Sequence, residues 1–141
     1  MANIVELHQK TTEELRSSLE SAHEELFNLR FQIAQNSLVN TARLGQVRRD
    51  IAQLNEALKK RDWALEEALK APQIAAMIQG KEYSSSVAFN YEKGVWVVAL
   101  ADGNGKSLAT ADVDLNQRRR HTRRARVTRK PVEKVVRVEV A

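Results

Sequence analysis

The feature that most constrains this chain is a pair of apolar stripes with helical spacing in its first half. Leucine, alanine and isoleucine side chains recur every three or four residues from Leu15 to Ile33. Leucine, valine and isoleucine do so again from Leu44 to Leu58, and after a gap Leu65 and Leu69 continue the stripe. Side chains at this spacing lie on one face of an α-helix. A polar interruption at 36–41 separates the stripes. The sequence therefore predicts two helices that pack on each other as an antiparallel hairpin.

Local signals mark the ends of the two predicted helices. Thr11 followed by Glu14 has the form of a capping box and predicts the start of the first helix. Asn40 or Thr41 is the expected N-cap of the second helix. Pro72 marks its end, because proline disfavours helical backbone at the residue before it.

Beyond residue 80 the pattern changes to the period of a β-sheet. The segments 84–91 and 95–101 are rich in Val, Phe, Tyr and Trp, which favour strands. A turn signal at 102–106 precedes a third predicted strand at 107–113. The valine-rich segment 132–140 fits either a last strand or a frayed tail.

Charge is distributed unevenly along the 141 residues, whose formal net charge is +5. Residues 117–141 carry ten Lys or Arg against two acidic residues, whereas 71–116 carry three against five. A block of one sign repels itself until a polyanion neutralises it, so nucleic acid is the expected partner. We therefore divide the chain into a helical hairpin (1–70), a small β extension (71–116) and an arginine-rich tail (117–141), which together make an α+β protein.

The positive charge of the predicted tail is concentrated in arginines. Seven of them fall within twelve positions, with no acidic residue among them. Arginine is favoured over lysine where the phosphates and base planes of folded RNA are contacted. A solubilising or targeting tail is the alternative interpretation. The RNA-binding candidates in this run are Arg118, Arg119, Arg120, Arg123, Arg124, Arg126 and Arg129.

Several classes of function find no support in the sequence. The absence of cysteine excludes disulfides, thiolate metal sites and a cysteine nucleophile. The three histidines, His8, His23 and His121, lack the spacing of metal ligands. No catalytic constellation is present, and no stretch approaches the roughly eighteen apolar residues that span a membrane. We expect a cytoplasmic protein that is not an enzyme and that uses no cofactor, metal or membrane.

Two motifs in the hairpin resemble one known family. Residues 25–32 read ELFNLRFQ, and the stretch NTARL at 40–44 is followed by VRRDIA at 47–52. In this order and at this separation, they are similar to the large-subunit ribosomal protein twenty-nine family. The resemblance covers roughly residues 4–60. Members of that family commonly end shortly after the hairpin, whereas this chain continues.

The resemblance implies a structural constituent of the large ribosomal subunit, without catalysis, bound to large-subunit ribosomal RNA near the peptide exit. It also implies ribosomal protein twenty-three as a neighbour, nascent-chain factors at the exit as further partners, and the ribosome as the location. By motif position, it implies RNA contact at Asn40, Thr41, Arg43, Arg48 and Arg49.

Alternatives remain for single residues and for the whole chain. Arg48 and Arg49 suit phosphate contacts through their guanidinium forks. A solvated helix face, on which acidic residues of neighbouring turns pair with them, is the other interpretation. The resemblance favours the first interpretation and implies that Phe27 and Phe31 are packing residues. For the whole chain, the alternative is a helical-hairpin adaptor between proteins outside the ribosome, with a nucleic-acid-binding tail.

Overall fold

The computed structural model describes residues 4–117 and 132–140. The α+β class predicted from the sequence is confirmed, and no helix within these two ranges is long and apolar enough to cross a membrane. The helices are α1 (Ile4–Gln9), α2 (Thr12–Ala34), α3 (Ala42–Leu69) and α4 (Pro72–Ile78), and the strands are β1 (Tyr83–Asn90), β2 (Val95–Asp102), β3 (Ser107–Val113) and β4 (Val135–Val140).

The chain divides into two compact units, Met1–Lys60 and Arg61–Ala141. From the sequence we expected a boundary at residue 70, where α3 ends. The last turns of α3 belong to the second unit because two of their alanines, Ala64 and Ala68, are fully buried in its core. The boundary therefore falls inside a helix.

In the first unit, α2 and α3 lie antiparallel along one apolar seam. Leu15, near the start of α2, shares a buried cluster with Leu54 near the middle of α3. Glu25, farther along α2, is bonded to Arg43 near the start of α3. Leu7 of α1 joins the buried cluster, so the short first helix adds to the same seam.

Capping interactions define both ends of α2. The backbone N–H of Glu14 donates to Thr11 Oγ1 at 3.2 Å, and the N–H of Thr11 donates to Glu14 Oε2 at 2.7 Å, which confirms the predicted capping box. The hydrogen bond from the Thr11 backbone lowers the pKa of Glu14. At the other end, Asn36 adopts a left-handed φ of 53°, and the N–H of Ser37 donates to the Gln32 carbonyl at 2.9 Å. This arrangement is a Schellman motif, which turns the chain out of the helix.

The second unit is built on a four-stranded antiparallel sheet in the order β1-β2-β3-β4. Trp96, Val98 and Leu100 alternate along β2 and are buried on one face of the sheet. Ile74 of α4 is fully buried in the same core. The valine-rich end of the chain is a strand, because Val138 of β4 pairs with β3. The frayed tail that we considered is therefore wrong for residues 135–140.

Truncation of a core side chain tests this assignment. We expect Leu100→Ala to lower the free energy of unfolding by about 2–5 kcal/mol, because the 1% exposed Leu100 side chain leaves a cavity. The control Val136→Ala, at a half-exposed position, should cost less than about 1 kcal/mol. Urea denaturation followed by tryptophan fluorescence measures both, since both tryptophans lie in this unit. Equal denaturation midpoints for the two variants would contradict the core assignment.

Candidate nucleic-acid interface

The loop that joins α2 to α3 carries the first predicted RNA-binding residues. Asn40 Oδ1 accepts a hydrogen bond from the backbone N–H of Ala42 at 3.1 Å, at the first turn of α3. Asn40 and Thr41 are both exposed. The carbonyl oxygen of Asn40 is thus committed to the helix end, while its amide NH₂ group is the part that suits a phosphate oxygen.

Arg43 already has a partner within the chain. Its Nε lies 2.6 Å from Glu25 Oε1 and its Nη2 lies 3.0 Å from Glu25 Oε2, which makes a two-pronged bond between α3 and α2. The hydrogen bond and the charge of Glu25 raise the pKa of Arg43. Arg43 therefore serves first to join the helices, and only the remaining edge of its guanidinium is available to a phosphate.

Arg48 and Arg49 are placed differently. Both are exposed, and neither forms an ion pair or side-chain hydrogen bond with any residue of 4–117 or 132–140. The next acidic residue along α3 after Asp50 is Glu56, which lies about two turns beyond the arginines and bonds Lys60 at 2.7 Å. The interpretation in which neighbouring acids pair with these arginines is therefore wrong. Their guanidinium groups are left for an external anion.

Asp50 follows the two arginines in sequence but does not neutralise them. Its Oδ1 is buried and has no hydrogen-bond partner among the described residues. It lines a groove on the side of α3 that faces α2, together with Ser17 and Ser21. Steps of 100° along a helix place Asp50 on that side and Arg49 nearly opposite the seam. The local charge at the helix surface is therefore positive.

Two phenylalanines of the hairpin are more exposed than we expected. Phe27 is 70% exposed and Phe31 is 57% exposed, so the expectation that they are packing residues is wrong for the chain by itself. The sequence holds the signal, because positions 27 and 31 each lie two residues, about 200°, from the buried Leu29. Together with the exposed Arg30 they form an apolar patch with one charge on the outer face of α2.

The seven arginines predicted to bind RNA, Arg118 to Arg129, lie outside the described residues. The strands on either side of them are described. Val113 of β3 pairs with Val135 of β4, and the N–H of Asp114 donates to the Lys134 carbonyl at 2.8 Å. The run that we expected to be a tail is thus a connection between two paired strands, whose ends are held side by side.

Lys134 makes a second contact at the base of this connection. Its Nζ lies 3.5 Å from the centroid of the Trp63 ring, a cation–π contact. The Trp63 indole N–H donates to Glu67 Oε1 at 3.2 Å. Partial burial acts to raise the pKa of Glu67, but the hydrogen bonds from Lys70 and Trp63 leave it lower than usual. This contact could not be predicted from the sequence, because its residues lie far apart along the chain.

The described part of the second unit does not itself attract a polyanion. Residues 61–117 and 132–140 together contain seven Lys or Arg and ten Asp or Glu, whereas 118–130 contain eight Lys or Arg and no acidic residue. Across the described ranges, no group of three or more His, Asp and Glu side chains is placed to hold a metal ion. Positive charge in this unit therefore belongs to the β3–β4 connection.

Comparisons with known proteins identify the hairpin. A family model described as "Ribosomal L29 protein" matches residues 5–61. The chain is also similar to proteins named "Large ribosomal subunit protein uL29". That of Symbiobacterium thermophilum is 43% identical over 68 residues, which are 48% of this chain and 97% of the relative. That of Geobacillus stearothermophilus is 46% identical over 59 residues, 42% of this chain and 89% of the relative.

A third relative, from Corynebacterium jeikeium, is 50% identical over 60 residues, which are 43% of this chain and 78% of that protein. Each match covers most of the relative but less than half of this chain. The sheet of the second unit is therefore an extension relative to these three proteins. The resemblance inferred from the two hairpin motifs is confirmed, and the chain belongs to the ribosomal L29 protein family.

Proposed function

We propose that this protein is a structural, non-catalytic constituent of the large ribosomal subunit, located with the ribosome in the cytoplasm. Its hairpin binds large-subunit ribosomal RNA near the peptide exit. Membership in the family and the names of the relatives support the assembly. The observation that carries the RNA contact is the pair Arg48 and Arg49, which are exposed and have no partner within residues 4–117 and 132–140.

The two arginines suit RNA because of where their charges lie. Arg48 and Arg49 are adjacent on α3, so their guanidinium groups point about 100° apart and suit separate phosphates. Neutralising phosphates releases the cations condensed on the RNA, which favours binding at low salt. Asn40, Thr41 and the free edge of Arg43 extend the contact to the end of the hairpin.

RNA binding also compensates for the small core of the hairpin. A two-helix unit buries one seam and gains only a few kcal/mol of net stability. A ligand that binds only the folded form adds to that stability by mass action. The hairpin is therefore suited to a role in which a large RNA holds it in place.

The arginine run of the second unit supplies a separate RNA contact. With eight basic residues at 118–130 and none acidic, it suits a second segment of ribosomal RNA. Its attachment to both β3 and β4 ties it to the sheet at two ends. In this arrangement the sheet anchors both ends of the run, and the arginines contact the RNA.

The exposed patch on α2 suits a protein neighbour. Phe27 and Phe31 lie one helical turn apart, and both side chains are more than half exposed. Apolar surface of this kind is suited to contact with another protein, because the charged phosphates of RNA do not pack well against it. The family resemblance supports ribosomal protein twenty-three as the neighbour that covers them, with nascent-chain factors docking beside it. The adaptor alternative is not favoured, because Leu15 and Leu54 already close the seam within one chain.

Charge reversal on α3 tests the RNA contact. We expect Arg48→Glu/Arg49→Glu to lose most of its occupancy in large subunits. Its affinity for large-subunit RNA should depend less on salt, by about two units of the log–log slope. The control Arg16→Glu/Lys81→Glu changes the same charge at two exposed positions outside the motifs. Sedimentation of particles and filter binding across a salt series measure both. Equal losses in the two variants would show an effect of net charge alone.

Replacement of the arginine run tests the second contact. A glycine–serine linker of equal length at 118–130 keeps β4 attached and should flatten the salt slope by about four units, if about five phosphates are neutralised. Exchange of the seven arginines for lysines keeps the charge and should keep the slope. Tryptophan fluorescence checks that the sheet remains folded. An unchanged slope and an unchanged particle occupancy with the linker would refute a role for the run.

Photocrosslinking tests the protein neighbour. A photoreactive phenylalanine analogue at position 27, in assembled large subunits, is expected to crosslink to ribosomal protein twenty-three, because the side chain points away from the hairpin seam. The same analogue at the fully exposed Val39 in the loop serves as the control. Crosslinks from position 27 to RNA only would contradict the assignment of this face to a protein.

A further inference from the structure

The sheet of the second unit ends in the edge strand β4. Its order, β1-β2-β3-β4, leaves the outer side of β4 without a neighbouring strand in the described part of the chain. An edge strand presents unpaired N–H and C=O groups that recruit another strand, and proteins commonly block such edges with Pro or Lys. β4 reads VVRVEV and contains neither.

Apolar side chains of β4 also remain uncovered. Val138 packs against the core, whereas Val136 is 57% exposed and Val140 is 51% exposed. A groove of about 620 Å³ runs beside the strand, between 132–138 and the junction of α3 with α4, where Glu67 and Lys70 also line it. The edge thus offers both backbone groups and apolar surface to an incoming strand.

We propose that a second copy of this chain covers the edge, with the two β4 strands paired antiparallel around a two-fold axis at Val138. Directly opposed residues in an antiparallel pair lie on the same face of the sheet. A symmetric pairing must therefore be centred on a residue. Centring on Arg137 or on Glu139 would set like charges opposite each other.

Centring on Val138 avoids that conflict and satisfies the rest of the strand. Arg137 of one copy then lies opposite Glu139 of the other, twice by symmetry. Val136 of one copy lies opposite Val140 of the other, so each exposed valine gains an apolar partner. This register makes the strand complementary to itself, as a two-fold interface requires.

The charges of the isolated chain are compatible with this pairing. Arg137 and Glu139 already form an ion pair on the open face of the sheet. In the dimer, each Arg137 would lie opposite a Glu139 of the other copy. These side chains would stay in contact with solvent on the open face of the sheet. The irregularity between β3 and β4 leaves Val136 without a partner in β3, whereas Arg137 to Val140 pair regularly with that strand.

The dimer should be weak. It joins two short strands, and each copy carries a net charge of +5, so the copies repel each other. Small interfaces of this kind dissociate at micromolar concentrations, and we expect a Kd on the order of 10–100 µM. The pairing describes the protein free of other partners, and it does not depend on the proposed ribosomal role.

Analytical ultracentrifugation of the full chain at concentrations from micromolar to submillimolar tests the pairing. The wild-type chain is expected to show a monomer–dimer equilibrium. E139R sets arginines opposite each other at both ends of the seam and should weaken the dimer at least about tenfold. E82R, at an exposed position before β1, raises the net charge by the same amount as E139R; as the control, it should keep the dimer far stronger than E139R does.

A charge-complementary mixture gives the decisive result. R137E is made together with D112N, because Asp112 of β3 lies opposite Arg137 and would repel the new carboxylate. This variant should not dimerise alone, whereas its equimolar mixture with E139R should form heterodimers. D112N alone should dimerise like the wild-type chain. A wild-type chain that stays monomeric throughout, a dimer that resists E139R, or a mixture that does not associate would overturn the proposal.

Discussion

The narrow apolar seam between α2 and α3 holds the first unit together. Because the seam buries few side chains, the stability of this unit is small. Each helix offers one apolar face, and the fully buried side chains number only a few, among them Leu7, Leu15 and Val47. A core of this size gives little stability beyond the entropy cost of folding. Exposed arginines that have no partner among the described residues agree with the proposal that an RNA surface supplies the remaining free energy.

The second unit enlarges its core by using residues from a helix that also belongs to the first unit. It gathers strands from the extension around a core that includes the last turns of α3, where alanines at 64 and 68 are fully buried. The family match ends at residue 61, where this second core begins along the chain. The extension is therefore continuous with the helix of the family fold, and its core depends on residues of that helix.

Local features of this fold were readable from the sequence. Thr11 and Glu14 predicted the start of α2 correctly, because a capping box involves only residues that are close together in the sequence. The secondary structure of 132–140 could not be decided from the sequence, because a short valine-rich segment forms a strand only when it pairs with another strand of the sheet. The contact of Lys134 with Trp63 was missed for the same reason.

The candidate site shows the same division between local and distant effects. The motifs predicted the same role for Arg43, Arg48 and Arg49. The structure distinguishes them, because Arg43 donates two hydrogen bonds to Glu25 across the hairpin and the other two do not. Asp50 lies on the inner side of α3, which leaves Arg48 and Arg49 without an acidic partner in the described part of the chain, and this position depends on the packing of both helices. Residue type alone suggested that Phe27 packs, whereas its angular position on α2 places it outside.

The pairing of β3 with β4 gives the arginine connection an unusual relation to proteolysis. A single cleavage anywhere in 118–131 would sever the covalent path to β4 without detaching it at once. The released piece would stay bound by strand pairing and by the ammonium of Lys134 on the Trp63 ring. The protein would then behave as two fragments in a concentration-dependent equilibrium, in which dilution alone would strip the last strand from the sheet.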